Sequence, residues 1–320
     1  MRLLHRLTLF LIFLAPMVAQ AQPASFEQAK TLAREQVYHD RNVAGDLYCG
    51  CTWRWVGRSG GRTNLAECGY QIRAQQTRAE RTEWEHIVPA SNFGRQRQCW
   101  QNGGRSNCTS NDPVFGRMEA DLHNLTPVVG EVNADRSNFN LGMVASSDTN
   151  YGRCPFKVSF KDRVAEPPNW AKGFVARVHF YMADRYNLQL SAQQARVLMA
   201  WDRQYPVSHW ELERDRRIAP LMGHSNPFVT GQRTWTEGYR PTGWGLAAPA
   251  AAAQSRQAPA STSSQAPTPL PAVIGNKNSQ IYHVRGRCPD ADRVGERNRV
   301  AFESEAQAQA AGFRRAGNCR

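Results

Sequence analysis

The sequence predicts an α+β fold, with a large mixed α/β domain over residues 22–245 and a small disulfide-closed module over residues 276–320. Three observations predict it. Short strand-like runs separated by turns fill residues 49–88, and long amphipathic runs with helical spacing fill residues 170–218. A segment of almost only Ala, Pro, Ser, Gln and Thr, residues 246–275, lies between the two parts. Such a segment lacks the apolar residues for a core and is typical of a flexible linker.

Residues 1–21 have the pattern of a signal peptide. Arg2 and Arg6 make a positively charged start, an apolar run follows from Leu7 to Val18, and the small residues of Ala19-Gln20-Ala21 suit a cleavage site. The apolar run is too short to span a bilayer. We therefore expect export to the periplasm or the medium, no interaction with a membrane, and a mature chain that begins at Gln22.

The eight cysteines agree with export, because an even number in an exported chain indicates disulfides. Cys99 and Cys108 bracket a Gly-rich stretch and are expected to pair, and a bridge between Cys288 and Cys319 would hold the small module together. The remaining four allow three pairings, and spacing does not choose among them. They are Cys49, Cys51, Cys68 and Cys154.

The elements of the large domain begin with a helix from Phe26 to Asp40, which Ser25 caps. Residues 53–56 and Arg78 to Val88 have strand patterns. The segment from Arg95 to Pro113 is rich in Gly, Asn and Cys, which predicts a loop.

A short helix is expected to begin at Thr126 or Pro127, because proline is tolerated in a first turn. Cys154 to Phe160 is predicted to be a strand. Three amphipathic helices follow, with Ser191 capping the second. They cover residues 170–186, 191–204 and 207–218.

The chemistry is expected at Glu85-His86, where a metal-ligating carboxylate and a general base are neighbours. Side chains of neighbouring strand residues point to opposite faces, so the two converge only if the strand ends there. Pro89 is consistent with such an end. Glu83 shares the strand face of Glu85 and is the alternative ligand. The pattern lacks the second histidine of a zinc-protease motif.

Two downstream residues complete the expected site. A hard cation such as Mg²⁺ keeps several waters and needs few protein ligands. Asn133, on a helix after a strand, offers an amide oxygen as the second ligand. Arg105, next to the Gly-rich stretch, is expected to hold a phosphate. The net charge of +13 suits a polyanion such as nucleic acid or an anionic cell surface, although solubility alone would also explain it.

Four segments resemble the bacterial endonuclease I family of exported, non-specific nucleases, and the resemblance covers roughly residues 25–233. The segments are EWEHIVPA (83–90), CWQNGGR (99–105), MEADLHNL (118–125) and GEVNADRSN (130–138). The resemblance implies a ββα-metal, or His-Me finger, site. Glu85 and Asn133 would then hold one Mg²⁺, for which Mn²⁺ or Ca²⁺ could substitute. His86 would be the general base, Arg105 would bind the phosphate and Glu119 would support the site.

The family further implies cleavage of DNA and RNA to 5′-phosphate ends by a monomer. Two other classes are alternatives: a metal-dependent cell-envelope hydrolase and a non-catalytic DNA-binding or uptake protein. Each site residue also has a structural alternative, such as a helix cap for Asn133 or a helix-face ion pair for Glu119. His123 is expected to be structural. The small module is similar to Ada-type metal-binding modules, but its two cysteines favour a disulfide over a zinc site.

Overall fold

The structure, a computed structural model, describes residues 22–145, 150–246, 273–284, 288, 294–295, 298–302, 304–317 and 319. The chain divides into two compact units, residues 1–255 and 256–320. The α+β class is confirmed, since each unit combines a sheet with helices. The expected signal peptide and nearly all of the expected linker lie outside the described residues.

The large unit is built on a four-stranded antiparallel sheet in the order β1-β2-β3-β4. Its strands are β1 (Trp53–Val56), β2 (Gly60–Thr63), β3 (Arg81–His86) and β4 (Leu125–Val129). A second, three-stranded sheet has the order β5-β7-β6. It consists of β5 (Asn140–Leu141), β6 (Lys157–Ser159) and β7 (Val164–Glu166).

Ten helices of the described residues surround these sheets. They are α1 (Phe26–Leu32), α2 (Gln76–Ala79), α3 (Ala90–Gly94), α4 (Gln98–Gln101), α5 (Gly104–Asn111), α6 (Pro113–Glu119), α7 (Gly130–Arg136), α8 (Asn169–Tyr186), α9 (Ala192–Gln204) and α10 (His209–Met222). The predicted caps Ser25 and Ser191 both accept a backbone N–H. Helix α1 continues as a π-helical segment, Ala33–Val37.

Helix α8 lies in the middle of the core, and its residues 171–186 are all buried. Its polar side chains are paired, as buried charges must be. Arg177, for example, donates from Nε and Nη2 to both carboxylate oxygens of Glu211 at 2.7 and 2.8 Å. This pairing ties the central helix α8 to α10.

The helix expected from Thr126 or Pro127 is wrong, because Leu125–Val129 forms strand β4 and α7 begins only at Gly130. Strand β4 lies at the edge of its sheet, pairs with β3, and is buried along its whole length. Proline is tolerated on an edge strand, which has a side where no N–H is required. Burial and pairing with β3 therefore outweighed the local helix signal.

The loop expected from Arg95 to Pro113 is also wrong, because most of it forms α4 and α5. Gly103 and Gly104 have left-handed φ of +111° and +61°, which glycine adopts without strain, and they turn the chain between the two helices. Arg105 consequently lies in the first turn of a helix.

The disulfides Cys99–Cys108 and Cys288–Cys319 confirm the two expected bridges. The four cysteines whose pairing was open form Cys49–Cys154 and Cys51–Cys68. The first of these joins residues 105 positions apart, a separation that only the tertiary structure brings together.

The small unit contains a four-stranded sheet in the order β10-β8-β9-β11. Its elements are β8 (Val273–Asn276), β9 (Ile281–Val284), β10 (Arg299–Phe302), α11 (Glu305–Ala310) and β11 (Arg314–Arg315). Strand β8 starts at Val273, inside the expected linker, because Val273 packs into the small core. His283 lies near Cys288 and Cys319, but both sulfurs are in the disulfide and are not free to bind metal.

Candidate active site

A cavity of about 470 Å³ opens at the end of β3. Four of the predicted site residues line it: Glu85, His86, Arg105 and Asn133. The fifth, Glu119, ends α6 and contacts the other residues through hydrogen bonds to His86 and Arg105. The fold therefore brings all five predicted residues together, although they lie on four different elements.

Glu85 and His86 both face this cavity because β3 ends at His86. Arg136, at the end of α7, holds the chain as it leaves the sheet. Its guanidinium donates to the carbonyl oxygens of His86 and Ile87, the first at 3.1 Å. The same group lies 3.1 Å from Oε1 of Glu85. Arg136 thus fixes both the backbone turn and the carboxylate.

The orientation of His86 decides which nitrogen can act as a base. Its Nε2 lies 2.8 Å from the backbone oxygen of Glu119. A carbonyl oxygen only accepts, so Nε2 carries the hydrogen and Nδ1 keeps the lone pair. Burial lowers the pKa of His86 from its ordinary value to about 4, and the positive charge of Arg105 acts in the same direction. The imidazole is therefore neutral, and able to accept a proton, at physiological pH.

Glu119 connects the histidine to the arginine of the site. While its backbone oxygen binds His86, its carboxylate accepts from Nε of Arg105 at 2.6 Å. Thr109, on the same helix as Arg105, donates to the other carboxylate oxygen at 3.2 Å. The side chain of Arg105 is still 49% exposed, so its remaining N–H groups are accessible to a ligand. Glu119 positions two groups at once.

Glu85 is a buried carboxylate with few partners. Oε1 accepts from the Tyr48 hydroxyl at 3.5 Å and lies near Arg136. Burial raises the pKa of Glu85 to about 7, against the lowering effect of Arg136 and the Tyr48 hydrogen bond. Among the described residues Oε2 has no hydrogen-bond partner. The site therefore contains a buried carboxylate oxygen that a cation could bind.

The environment of Asn133 separates the roles of the two glutamates on β3. The Nδ2 of Asn133 donates to Glu83 at 3.1 Å, which leaves its Oδ1 for another ligand. Glu83 itself is held by the guanidinium of Arg78, with Nε 3.1 Å from Oε1. Glu83 therefore orients Asn133, whereas Glu85 keeps a free oxygen. Glu85 Oε2 and Asn133 Oδ1 form an all-oxygen donor pair, which fits a hard divalent cation better than a soft one.

Helix α1 contributes residues that the sequence analysis did not single out. The ring of Phe26 lies 4.7 Å from that of His86. The guanidinium of Arg105 lies 5.7 Å from the centre of the Phe26 ring. Lys30, one turn further along α1, lines the cavity and adds positive charge. The helical spacing includes Phe26 as an apolar position, but it does not indicate a role at the site, because that role depends on how α1 packs across the sheet.

His123, expected to be structural, is fully buried and lies outside the cavity lining. Its Nε2 contacts the backbone oxygen of His224 at 3.3 Å, and its Nδ1 lies 3.7 Å from a carboxylate oxygen of Asp215. Burial keeps its pKa well below the ordinary value. These contacts are consistent with a packing role.

The antiparallel strands β3 and β4, followed directly by α7, form a ββα unit with His86 at the end of its first strand and Asn133 on its helix. This arrangement is that of the ββα-metal, or His-Me finger, class. The Endonuclease I family model matches residues 25–232, and the chain belongs to this family. It is therefore a nuclease, an enzyme whose substrate is nucleic acid, as the sequence predicted.

Similar proteins share most of the large unit. An endonuclease-1 of Buchnera aphidicola is 43% identical over 205 residues, covering 64% of this chain and 80% of that protein. An extracellular deoxyribonuclease of Aeromonas hydrophila is 43% identical over 227 residues, covering 71% and 97%. A periplasmic deoxyribonuclease of the same organism is 42% identical over 227 residues, covering 71% and 94%.

The names of the two Aeromonas proteins agree with the predicted export, and the disulfides fit an oxidising compartment. The localisation, periplasmic or secreted, is confirmed. Within the part of the chain that the structure describes, every helix is too short or too polar to cross a bilayer.

Proposed function

We propose that this protein is a Mg²⁺-dependent, sequence-non-specific endonuclease that cleaves DNA and RNA and leaves 5′-phosphate ends. One observation carries the proposal. A buried neutral histidine, an exposed arginine and an oxygen donor pair line the same cavity. The three parts match what phosphodiester hydrolysis needs: a base, a phosphate-binding cation and a metal site.

In the proposed reaction, Nδ1 of His86 accepts a proton from water, and the resulting hydroxide attacks phosphorus in line with the 3′ oxygen. The bond between phosphorus and that oxygen breaks, the leaving 3′ oxygen takes a proton from solvent, and the phosphate stays on the 5′ oxygen of the downstream nucleotide. Arg105 binds the non-bridging oxygens and offsets their growing charge. Glu119 keeps both His86 and Arg105 in place, with its backbone oxygen on one and its carboxylate on the other.

Glu85 and Asn133 would hold the cation, with Mn²⁺ or Ca²⁺ able to replace Mg²⁺ as an oxygen-bound ion. When bound, it would supply positive charge to the phosphate and the leaving oxygen. The cavity offers groups that recognise phosphates, which carry no sequence information. Such recognition would allow non-specific cleavage, and activity on RNA as well as DNA, and we propose that the enzyme acts as a monomer.

The direct test is to incubate the purified protein with supercoiled plasmid and Mg²⁺, with and without EDTA. We expect nicking that EDTA abolishes. Equal nicking in EDTA would contradict the metal requirement. Plasmid that is bound but left intact would favour a DNA-binding or uptake protein, and lysis of cell-wall preparations without nicking would favour an envelope hydrolase. A parallel assay on RNA tests the second substrate.

The Mg²⁺ requirement is expected to depend on pH through Glu85. The folded-state pKa of Glu85, about 7, lies above its ordinary value, so a proton competes with the cation below this pH. The half-saturating Mg²⁺ concentration should rise up to roughly tenfold per pH unit below neutrality and level off above it. Titrations of plasmid nicking with Mg²⁺, from acidic to alkaline pH, measure this half-saturating concentration. A concentration that stays constant across the range would show that Glu85 is not a ligand.

Removing the Cys99–Cys108 bridge by a double change to serine is expected to lower the free energy of unfolding by about 2–3 kcal/mol. Nicking should fall further than this stability loss explains, because the bridge ties α4 to the helix that carries Arg105. Urea unfolding and nicking rates at a temperature where both proteins are folded separate the two effects. A double variant with full activity would show that the bridge does not position Arg105.

A further inference from the structure

A second groove, of about 500 Å³, lies next to the active-site cavity. The two linings adjoin along the chain at two places. Ser137 lines the cavity, while the next residue, Asn138, lines the groove. On α3, Ala90 lines the cavity and Asn92 lines the groove. Consecutive Cα atoms are about 3.8 Å apart, so at Ser137 and Asn138 the two linings come within one residue of each other.

Arg163 is the best-positioned cation of this groove. Its Nη2 donates to Oδ1 of Asn138 at 2.8 Å, and its guanidinium lies 4.7 Å from the centre of the Phe139 ring. Its backbone has a left-handed φ of 56°, which is unfavourable for a side chain of this size. Such a conformation persists only where its surroundings impose it, and it is common at ligand-binding positions. The guanidinium has five N–H donors, so several remain for an anion.

The other groups of the groove fit a nucleotide strand. Arg95 follows α3, is exposed, and adds a second positive charge. The one carboxylate in the lining, Asp162, accepts from Ser159 Oγ at 2.6 Å. The rest of the polar lining is largely uncharged amide, from Asn92, Asn138 and Gln189 among others. Two arginines bind phosphates well, while amides bind sugars and base edges without a charge requirement.

The backbone segment that connects the two linings, Ser137-Asn138, is also unusual. Ser137, the C-cap of α7, has φ 49° and ψ −119°, outside the regions that a serine prefers. It is exposed and lies between Asn133, in the proposed metal site, and Asn138, which holds Arg163. One short backbone segment therefore sets the position of Arg163 relative to the reacting centre.

We propose that this groove is a second phosphate-binding subsite, in which Arg163 and Arg95 hold a backbone phosphate of the same strand, beyond the scissile bond. The inference rests on the proposed function, because it assigns the groove to the same nucleic-acid strand. It makes the enzyme recognise a length of strand, not a single phosphodiester. The groove thus favours polymers over dinucleotides.

DNA binding, measured with a protein that does not cleave, tests the proposed subsite. The binding of a short fluorescein-labelled DNA duplex is measured for His86→Ala and for two double variants that carry Arg163→Ala or Arg95→Ala in the same protein. Each change should weaken binding several-fold and reduce the slope of log K against log salt by about one, as expected for one lost phosphate contact. Arg203→Ala, which removes an exposed arginine of α9 outside both cavities, is the matched control and should leave the affinity and the slope unchanged.

Affinities and salt slopes unaltered by both groove variants would overturn the proposal, and so would an equal loss in Arg203→Ala. Arg163 and Arg95 are both on the surface, so either variant can be judged alone if the other unfolds. The proposed function fails by a different result: wild-type protein that binds the duplex but does not nick plasmid in Mg²⁺. The two failures are therefore distinguishable.

Discussion

His86→Ala should lower the rate of metal-dependent plasmid nicking by about 10²- to 10⁴-fold, the contribution expected from a positioned general base. The imidazole is buried, neutral, and held through Nε2 by the backbone of Glu119, which leaves Nδ1 as the proton acceptor. Alanine removes the acceptor but keeps the strand, the oxygen donors and Arg105. The measurement is the initial nicking rate at saturating Mg²⁺.

The matched control for this experiment is His209→Ala, which removes an exposed histidine at the start of α10. It should nick at the wild-type rate. DNA binding by His86→Ala should also remain, since the phosphate-binding arginines are unchanged. A His86→Ala protein that nicks as fast as wild type would exclude the proposed base.

Arg136→Met is expected to destabilise the fold by about 3–5 kcal/mol, the cost of leaving a buried charge without its partner. The side chain is 1% exposed and contacts Glu85 together with the carbonyl oxygens of His86 and Ile87. Without it, Glu85 loses its nearest positive charge and the end of β3 loses its hydrogen bonds. Thermal and urea unfolding measure the loss.

A positioning role for Arg136 makes a second, separate prediction. Mg²⁺ should raise the melting temperature of the wild-type protein, and much less that of Arg136→Met, because Glu85 and the strand end are no longer held. Arg214→Met is the matched control. Arg214 is also buried and also donates to backbone carbonyls, but it does not line the cavity. It should lower stability and keep the Mg²⁺-induced shift. The same shift in both variants would leave Arg136 with a structural role alone.

The local sequence predicted much of this molecule where the signal and the structure are both local. The caps Ser25 and Ser191 and the bridge Cys99–Cys108 each depend on residues close together in the chain. Glu85 and His86 were recognised in the same way, because a carboxylate beside an imidazole has a chemical meaning before any fold is known.

Local sequence patterns gave a wrong prediction, or none, where contacts between distant segments determine the structure. Residues 125–129 contain a proline and are fully buried, and only pairing with β3 makes them a strand. Arg136 resembles an ordinary basic residue in the last turn of a helix, where a positive charge suits the helix dipole. Its burial against β3 gives it a different role. Phe26 reaches His86 from far along the chain because α1 packs over the cavity.

By itself, the sequence predicted the class of fold, export and the residue types of the proposed site, because residue chemistry and short-range spacing are properties of the chain. The tertiary structure decided the rest. It selected Cys49–Cys154 among the three possible pairings and placed Arg163 against Asn138 and Phe139. It also left Oε2 of Glu85 and Nδ1 of His86 without a hydrogen-bond partner among the residues that the structure describes. Each of these depends on burial and on contacts between segments far apart in sequence, which become definite only when the chain packs.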